Sequence, residues 1–222
     1  GGIGFPVIVS YAQMAKRVIG NWVNVWTSKD SFYHHTPRVF NINTRLTTTS
    51  TFILLMLGFI TYWIFEGNNT LAGLEGYPKF VTAFFGAVTP RTAGFNTVDL
   101  TALALPTLLI YLILMWIGAS PGSTGGGLKT TTFAVAVLNA ISIAKGKDRV
   151  EVFNRQIDPE TVRKAFAVML LSFIVIGLGV FFVLFLNPDL KILEVAFEIF
   201  SAFSTVGLSL GITAQLSEAS KI

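Results

Sequence analysis

Two short segments carry the residue types on which a site can be built: Thr92-Ala93-Gly94-Phe95-Asn96 and Thr205-Val206-Gly207-Leu208-Ser209, whose central glycines lie 113 residues apart. Neither contains a carboxylate, a thiol or an imidazole, so acid–base, nucleophilic and transition-metal chemistry are not what they offer. They offer backbone. A dehydrated monovalent cation inside a bilayer needs its hydration oxygens replaced, and neutral carbonyls do this without holding the ion too tightly. Presenting several successive carbonyls inward requires backbone angles that glycine reaches and other residues avoid. A divalent site would use a ring of Asp or Glu, which these segments lack. A single Thr-x-Gly is equally an ordinary turn; the weight comes from two copies in equivalent positions. Arg91 places a fixed cation beside the first copy. A salt bridge to Asp99 is expected, with shaping of an outer mouth as the alternative.

Between the copies lies Gly118-Ala119-Ser120-Pro121-Gly122-Ser123-Thr124-Gly125-Gly126-Gly127-Leu128-Lys129. Five glycines and a proline in the first ten of these residues cannot remain a regular helix. The run superficially resembles a phosphate-binding loop, but Leu128 breaks the G-x-x-x-x-G-K-[ST] pattern and no strand precedes it. The better reading is a movable barrier in which Lys129 opposes cation passage. A static break that only packs the interior is the competing one, since irregular backbone at membrane depth must be buried in protein or line water. His34 and His35 sit in a polar stretch without other ligand-like neighbours. No catalytic triad, paired acids or metal motif is present, so neither an enzyme nor a cofactor is expected.

These segments need elements to hold them. Residues 46–65, 100–128 and 165–188 are uncharged, and about 20 apolar residues suffice to cross a bilayer as a helix. Residues 77–88 and 192–203 are apolar but only about a dozen long, enough to enter the membrane and not to cross it. Each short segment follows a full span and precedes a Thr-x-Gly, so the chain repeats a span, short helix and loop. The expected fold is therefore all-α and integral to the membrane, built from helix, pore loop and helix units with re-entrant short helices and one broken helix. The expected divisions are 1–46 (end of one unit and a linker), 47–145 (helix 47–66, short helix 77–89, loop 91–97, broken helix 101–145), 146–163 (a cytoplasmic loop) and 164–222 (helix 164–186, short helix 191–203, loop 204–210). Residues 1–20 read as the tail of a helix leaving the bilayer. The Thr47–Thr51 run can bond back to preceding carbonyls, and Tyr62 and Trp63 mark an outer interface. The last unit lacks its returning helix, so the chain reads as a fragment.

Composition agrees. Of 222 residues, 52% are hydrophobic and 13% charged, and the mean hydropathy is +0.65, whereas soluble domains carry about 25% charged residues. The absence of cysteine removes disulfide frameworks and thiolate metal sites. The net charge of +4 does not call for nucleic acid. Eleven of the sixteen basic residues fall within 12–45 and 145–164, as the positive-inside rule expects of cytoplasmic loops.

With these residues in view, Thr89-Pro90-Arg91-Thr92-Ala93-Gly94-Phe95-Asn96-Thr97-Val98-Asp99, the run from Gly118 to Thr131, and Phe203-Ser204-Thr205-Val206-Gly207-Leu208-Ser209 resemble the membrane subunit of the Ktr/Trk potassium uptake systems, the Ktr branch more closely. The resemblance covers the whole chain but about half of a member, which has four pore-loop units. It implies potential-driven potassium uptake across the cytoplasmic membrane, filter residues at the two Thr-x-Gly loops, and a gate at Gly118, Pro121, Gly122, Ser123, Thr124, Gly125, Gly126, Gly127 and Lys129. It further implies K+ as the transported ion, stimulation by Na+, a homodimer of membrane subunits, and a cytoplasmic nucleotide-binding regulatory ring contacted by the basic loops. Two other classes remain open from the residues alone: an alternating-access carrier of another solute, which a broken helix would serve, and a non-transporting membrane scaffold or receptor.

Overall fold

The computed structural model describes residues 2–27, 42–147, 149–153, 155–214 and 216–217. The chain is mainly helical: α1 (Phe5–Thr27), α2 (Ile42–Glu66), α3 (Gly76–Val88), α4 (Leu105–Trp116), α5 (Thr130–Ala144), α6 (Pro159–Leu186) and α7 (Ile192–Phe203). A short antiparallel hairpin, β1 (Glu151–Val152) and β2 (Arg155–Gln156), joins α5 to α6.

Among the described residues two helices, α2 and α6, are long and apolar enough to cross a membrane. At 1.5 Å per residue their 25 and 28 residues reach about 37 and 42 Å, against about 30 Å of hydrocarbon. Only 17% of the most apolar window of each is buried. The outward residues are large and apolar, among them Phe52, Ile64, Leu170, Phe181 and Phe185, a surface suited to lipid and too extensive for water.

Both long helices begin five residues before the expected positions, at Ile42 and Pro159. Local chemistry accounts for this. The Asp158 carboxylate accepts from the Glu160 N–H, Pro159 opens the first turn, and Glu160 adds a favourable charge to it. In α2 the Thr48 hydroxyl donates to the Thr44 carbonyl at 2.9 Å, as the threonine run allows. The basic segment 12–45 is accordingly not all loop: residues 12–27 continue α1 and 42–45 belong to α2. Lys29, Arg38, His34 and His35 lie outside the described residues.

Tyr62 is a second departure from expectation. It marks no interface, being 1% exposed, stacked on Tyr111 with ring centroids 6.2 Å apart, and seated against Gly86 of α3, where a side chain would collide with its ring. Tyr111 donates its hydroxyl to the Gly86 carbonyl at 2.6 Å. The two tyrosines wedge α3 between α2 and α4, and Gly58 of α2 lets Ala87 of α3 and Leu114 of α4 come close. A separate small core of Leu46, Val135, Val150, Val152 and Ala165 ties the hairpin to the helix ends. There the Arg45 guanidinium lies 4.2 Å from the Phe153 ring centroid, so the last basic residue of the first segment meets the hairpin within the second.

Candidate functional site

The two Thr-x-Gly segments adopt the same backbone. φ is +60° at Thr92 and +74° at Gly94, and +52° at Thr205 and +88° at Gly207, while Ala93 and Val206 stay negative. A threonine held at positive φ costs about 1–2 kcal/mol, and strain of this kind persists where surrounding structure over-determines it. Each loop leaves the C-terminal end of a short helix. After α3, the Thr89 carbonyl accepts the N–H groups of Ala93 and Gly94 at 3.2 and 3.3 Å, and the Thr89 hydroxyl donates to the Phe95 carbonyl. After α7, Thr205 N–H donates to Ala202 at 3.1 Å and Val206 N–H to Ser201 at 2.9 Å.

The loops meet glycine to glycine. A Cβ on Gly94 would collide with the Val206 carbonyl and lie 3.6 Å from the Gly207 Cα. Val206 and Leu208 are buried, Thr92, Ala93 and Ser209 half-buried, and Thr205 and Gly207 exposed. Phe95 and Asn96 turn outward and are exposed, Asn96 donating to the Val98 carbonyl at 3.4 Å.

The break between α4 and α5 spans residues 117–129 and is folded on itself: Leu128 N–H donates to Trp116 at 3.0 Å, Thr130 to Ala119 at 3.3 Å, and Ala119 to Gly126 at 3.4 Å. It docks directly on the two Thr-x-Gly loops. Gly126 N–H donates to the Thr205 Oγ1 at 2.7 Å. A Cβ on Gly125 would meet Thr92, one on Gly127 would meet Ser204, and one on Gly118 would strike the Gly126 carbonyl. At these glycines three stretches of the chain crowd together, and a Cβ would meet backbone at Gly118 and side chains at Gly125. Lys129 places its ammonium on the Gly125 carbonyl at 2.5 Å. Ser123 turns back on the loop, its hydroxyl donating to the Ser120 carbonyl at 2.5 Å, while Pro121 and Gly122 face another way. Gly122 accepts from Phe5 N–H at 3.2 Å, Ser120 N–H donates to Gly2 at 3.0 Å, and a Cβ on Gly4 would collide with the Pro121 carbonyl, so this side of the loop faces the N-terminal segment.

Arg91 does not pair with Asp99. Its guanidinium is buried, 7% exposed for the residue, and donates to the Thr51 carbonyl of α2 and the Gly118 carbonyl, both at 3.3 Å. Asp99 is occupied otherwise: it accepts from the Thr101 hydroxyl at 2.7 Å and amide at 2.9 Å, capping the 3-10 turn Leu100–Ala102. Those two bonds hold its carboxyl below the ordinary carboxylate range.

Two acids escape a reading by motif. Glu66, fully buried at the end of α2, accepts from Ala104 N–H, the Thr107 hydroxyl, Asn69 Nδ2 and the Thr70 hydroxyl at 2.6 to 2.9 Å and from Thr70 N–H at 3.4 Å. Glu198 of α7 accepts from the Ser209 hydroxyl. The available signal is a carboxylate on an otherwise apolar helix, at the last residue of α2 and at one of two acids in α7, and such a residue marks function by default in a membrane.

Comparison with known proteins follows the same lines. The family described as TrkH, cation transport protein, matches residues 1–222. The chain is 37% identical over 223 residues to the Ktr system potassium uptake protein B of Vibrio alginolyticus, covering 100% of this chain and 45% of that protein. It is 39% identical over 186 residues to the protein of the same name in Bacillus subtilis (strain 168), covering 83% and 42%. It is 36% identical over 202 residues to the potassium/sodium uptake protein NtpJ of Enterococcus hirae, covering 89% and 44%. The chain thus spans less than half the length of these relatives.

Proposed function

The chain belongs to the TrkH cation transport family, and from that premise we propose that it supplies two corners of a potassium-selective pore and the barrier beneath them. The observation that carries this reading is the glycine-to-glycine contact of two loops with the same alternation of φ sign, each following a short helix. A chain whose φ alternates in sign turns successive carbonyls toward one side, whereas a strand alternates them.

On this reading α3 and α7, about 20 and 18 Å long, are re-entrant. Each directs its C-terminal end at its loop, contributing roughly half a negative charge near the ion. Inward passage of K+ gains about 2.3 kcal/mol per 100 mV of inside-negative potential, so no chemical step is needed and no enzymatic role is assigned. The 117–129 loop is the gate, closed by its bonds to Thr205 and Arg91. The basic residues gathered near Arg45 and the hairpin mark the cytoplasmic end and the surface for a regulatory ring, with the membrane subunit working as a homodimer. One relative is named for potassium and sodium, which makes Na+ the first competing or activating ion to examine.

The test is potassium uptake by the complete gene product in potassium-starved cells lacking their own uptake systems. Uptake that follows membrane potential and prefers K+ over Na+ supports the reading. Saturable uptake of an organic solute without ion preference would replace it with an alternating-access carrier. Deleting Gly125-Gly126-Gly127 is expected to raise flux; normal flux in an inserted variant would leave the loop a packing feature.

A further inference from the structure

The repeat offset of 113 residues that superposes Gly94 on Gly207 also sets Phe85 against Glu198, Asn96 against Ser209 and Leu100 against Thr213. The two loops are therefore braced by different chemistry. In the first, a neutral hydroxyl reaches forward from the end of α3, Thr89 to the Phe95 carbonyl. In the second, the Ser209 hydroxyl donates to Glu198 Oε1, the Thr213 hydroxyl donates to the same oxygen at 3.2 Å, and the Ser209 oxygen accepts from Gly211 N–H at 2.9 Å. Glu198 lies in mid-helix on α7, whereas the helix's other acid, Glu194, is in its first turn and pairs with Lys191 at 3.2 Å. A cleft of about 430 Å³ runs along this brace, lined by Glu198, Thr205, Gly207, Ser209 and Thr213 among others.

A carboxylate retained in an apolar membrane helix is costly and is normally tied to function. Here its partners fix the residue two positions after the filter glycine and the turn that follows. We propose that Glu198 is a positioning residue for the Gly207 loop, acting through Ser209 to hold the outer end of that loop in its ion-binding shape. Bonds to an ionised acceptor are roughly twice as strong as neutral ones, so this corner of the path is the more firmly held. The inference rests on the filter reading given above.

The experiment compares Glu198→Ala, Glu198→Gln and Ser209→Ala in the complete gene product, reading K+ uptake, its inhibition by Na+, and the amount of inserted protein. Glutamine keeps an oxygen able to accept from Ser209. The brace predicts that Glu198→Ala and Ser209→Ala both lower the preference for K+ over Na+ by roughly tenfold, the scale of one hydrogen bond to a charged group, while Glu198→Gln retains most of it. Unchanged preference in both alanine variants overturns the proposal. So does a loss in Glu198→Gln equal to that in Glu198→Ala with Ser209→Ala normal, because the charge would then act on the ion directly. Gly207→Ser in the same assay separates the two levels. If it leaves preference intact the filter reading fails, and if it abolishes preference while the alanine variants keep it, only the brace fails.

Discussion

Substituting Gly94 tests the contact between the two loops more sharply than any other change. At φ +74° a serine pays about 1–2 kcal/mol for the left-handed conformation. It also brings a Cβ into the Val206 carbonyl, a backbone group that cannot swing aside as a side chain would. Relief must come from shifting one loop against the other, which disturbs the carbonyls of both. Gly207→Ser is the control. Its φ of +88° carries the same conformational cost, but its Cβ would meet the Gly94 Cα at 3.9 Å, an ordinary contact. At about 1.4 kcal/mol per factor of ten, conformational strain alone erodes K+ over Na+ preference by roughly 5- to 30-fold, and Gly94→Ser is expected to exceed Gly207→Ser. Rubidium uptake under Na+ competition in potassium-starved cells measures this, with inserted protein quantified in parallel. Because both substitutions act on one contact, the double variant is expected to lose less than the two losses combined. An inserted Gly94→Ser protein of unchanged preference would refute the filter assignment. A Gly207→Ser defect larger than that of Gly94→Ser would refute the glycine-to-glycine packing.

Three further outcomes follow from the same geometry. Thr205→Val keeps the side-chain shape but removes the acceptor of Gly126 N–H, so a weakened closed loop should raise flux about fivefold, the equivalent of about 1 kcal/mol; equal flux would show that this bond does not hold the loop. Arg91→Gln should increase hydrogen exchange of residues 118–129, and Arg91→Lys should not restore protection, since one ammonium is a poor substitute for a fork spanning two carbonyls; protection equal to the parent would sink the tether. Glu66→Gln turns an amide N–H₂ toward groups that are themselves donors, at a cost of about 2 kcal/mol, and should lower the melting temperature in detergent by roughly 4–8 °C; unchanged melting would mean that the Glu66 bonds contribute nothing.

Much of this architecture was legible because lipid imposes few solutions. The short segments expected at 77–89 and 191–203 fall at Gly76–Val88 and Ile192–Phe203, since their apolar runs end at Thr-x-Gly loops that cannot stay helical. The break was legible from its glycines, and the structure adds its edges at 117 and 129. What sequence could not supply were pairings across the chain. Asp99 stood eight residues from Arg91, but a short-range N-cap bond to Thr101 claims it, and Arg91 finds carbonyls 27 and 40 residues away. Tyr62 satisfied the rule for interfacial aromatics, yet it stands on the face of α2 that meets Gly86, where a flat ring fills the space a missing side chain leaves. Glu198 carries no local motif, because its partner lies eleven residues along the chain, beyond the glycine.

On the proposed reading, the convergence of three loops bears on how a gate and a filter share one small volume. Parting 117–129 from the two Thr-x-Gly segments alone must break the Gly126 bond to Thr205, worth about 1 kcal/mol, and the Arg91 bond to Gly118, worth about 1.5–3 kcal/mol as a bond to a charged group, while the bonds to Gly2 and Phe5 hold the other side of the loop. The total, roughly 2.5–4 kcal/mol, is close to what 100 mV does to one charge, about 2.3 kcal/mol, and to a typical coupling energy between a regulatory site and a distant one, about 1–3 kcal/mol. Both bonds end on the Thr-x-Gly segments, Thr205 within one and Arg91 immediately before the other. On the proposed reading, opening the gate therefore releases the filter threonine whose positive φ is strained, so that these two hydrogen bonds couple the conducting shape of the filter to the position of the gate.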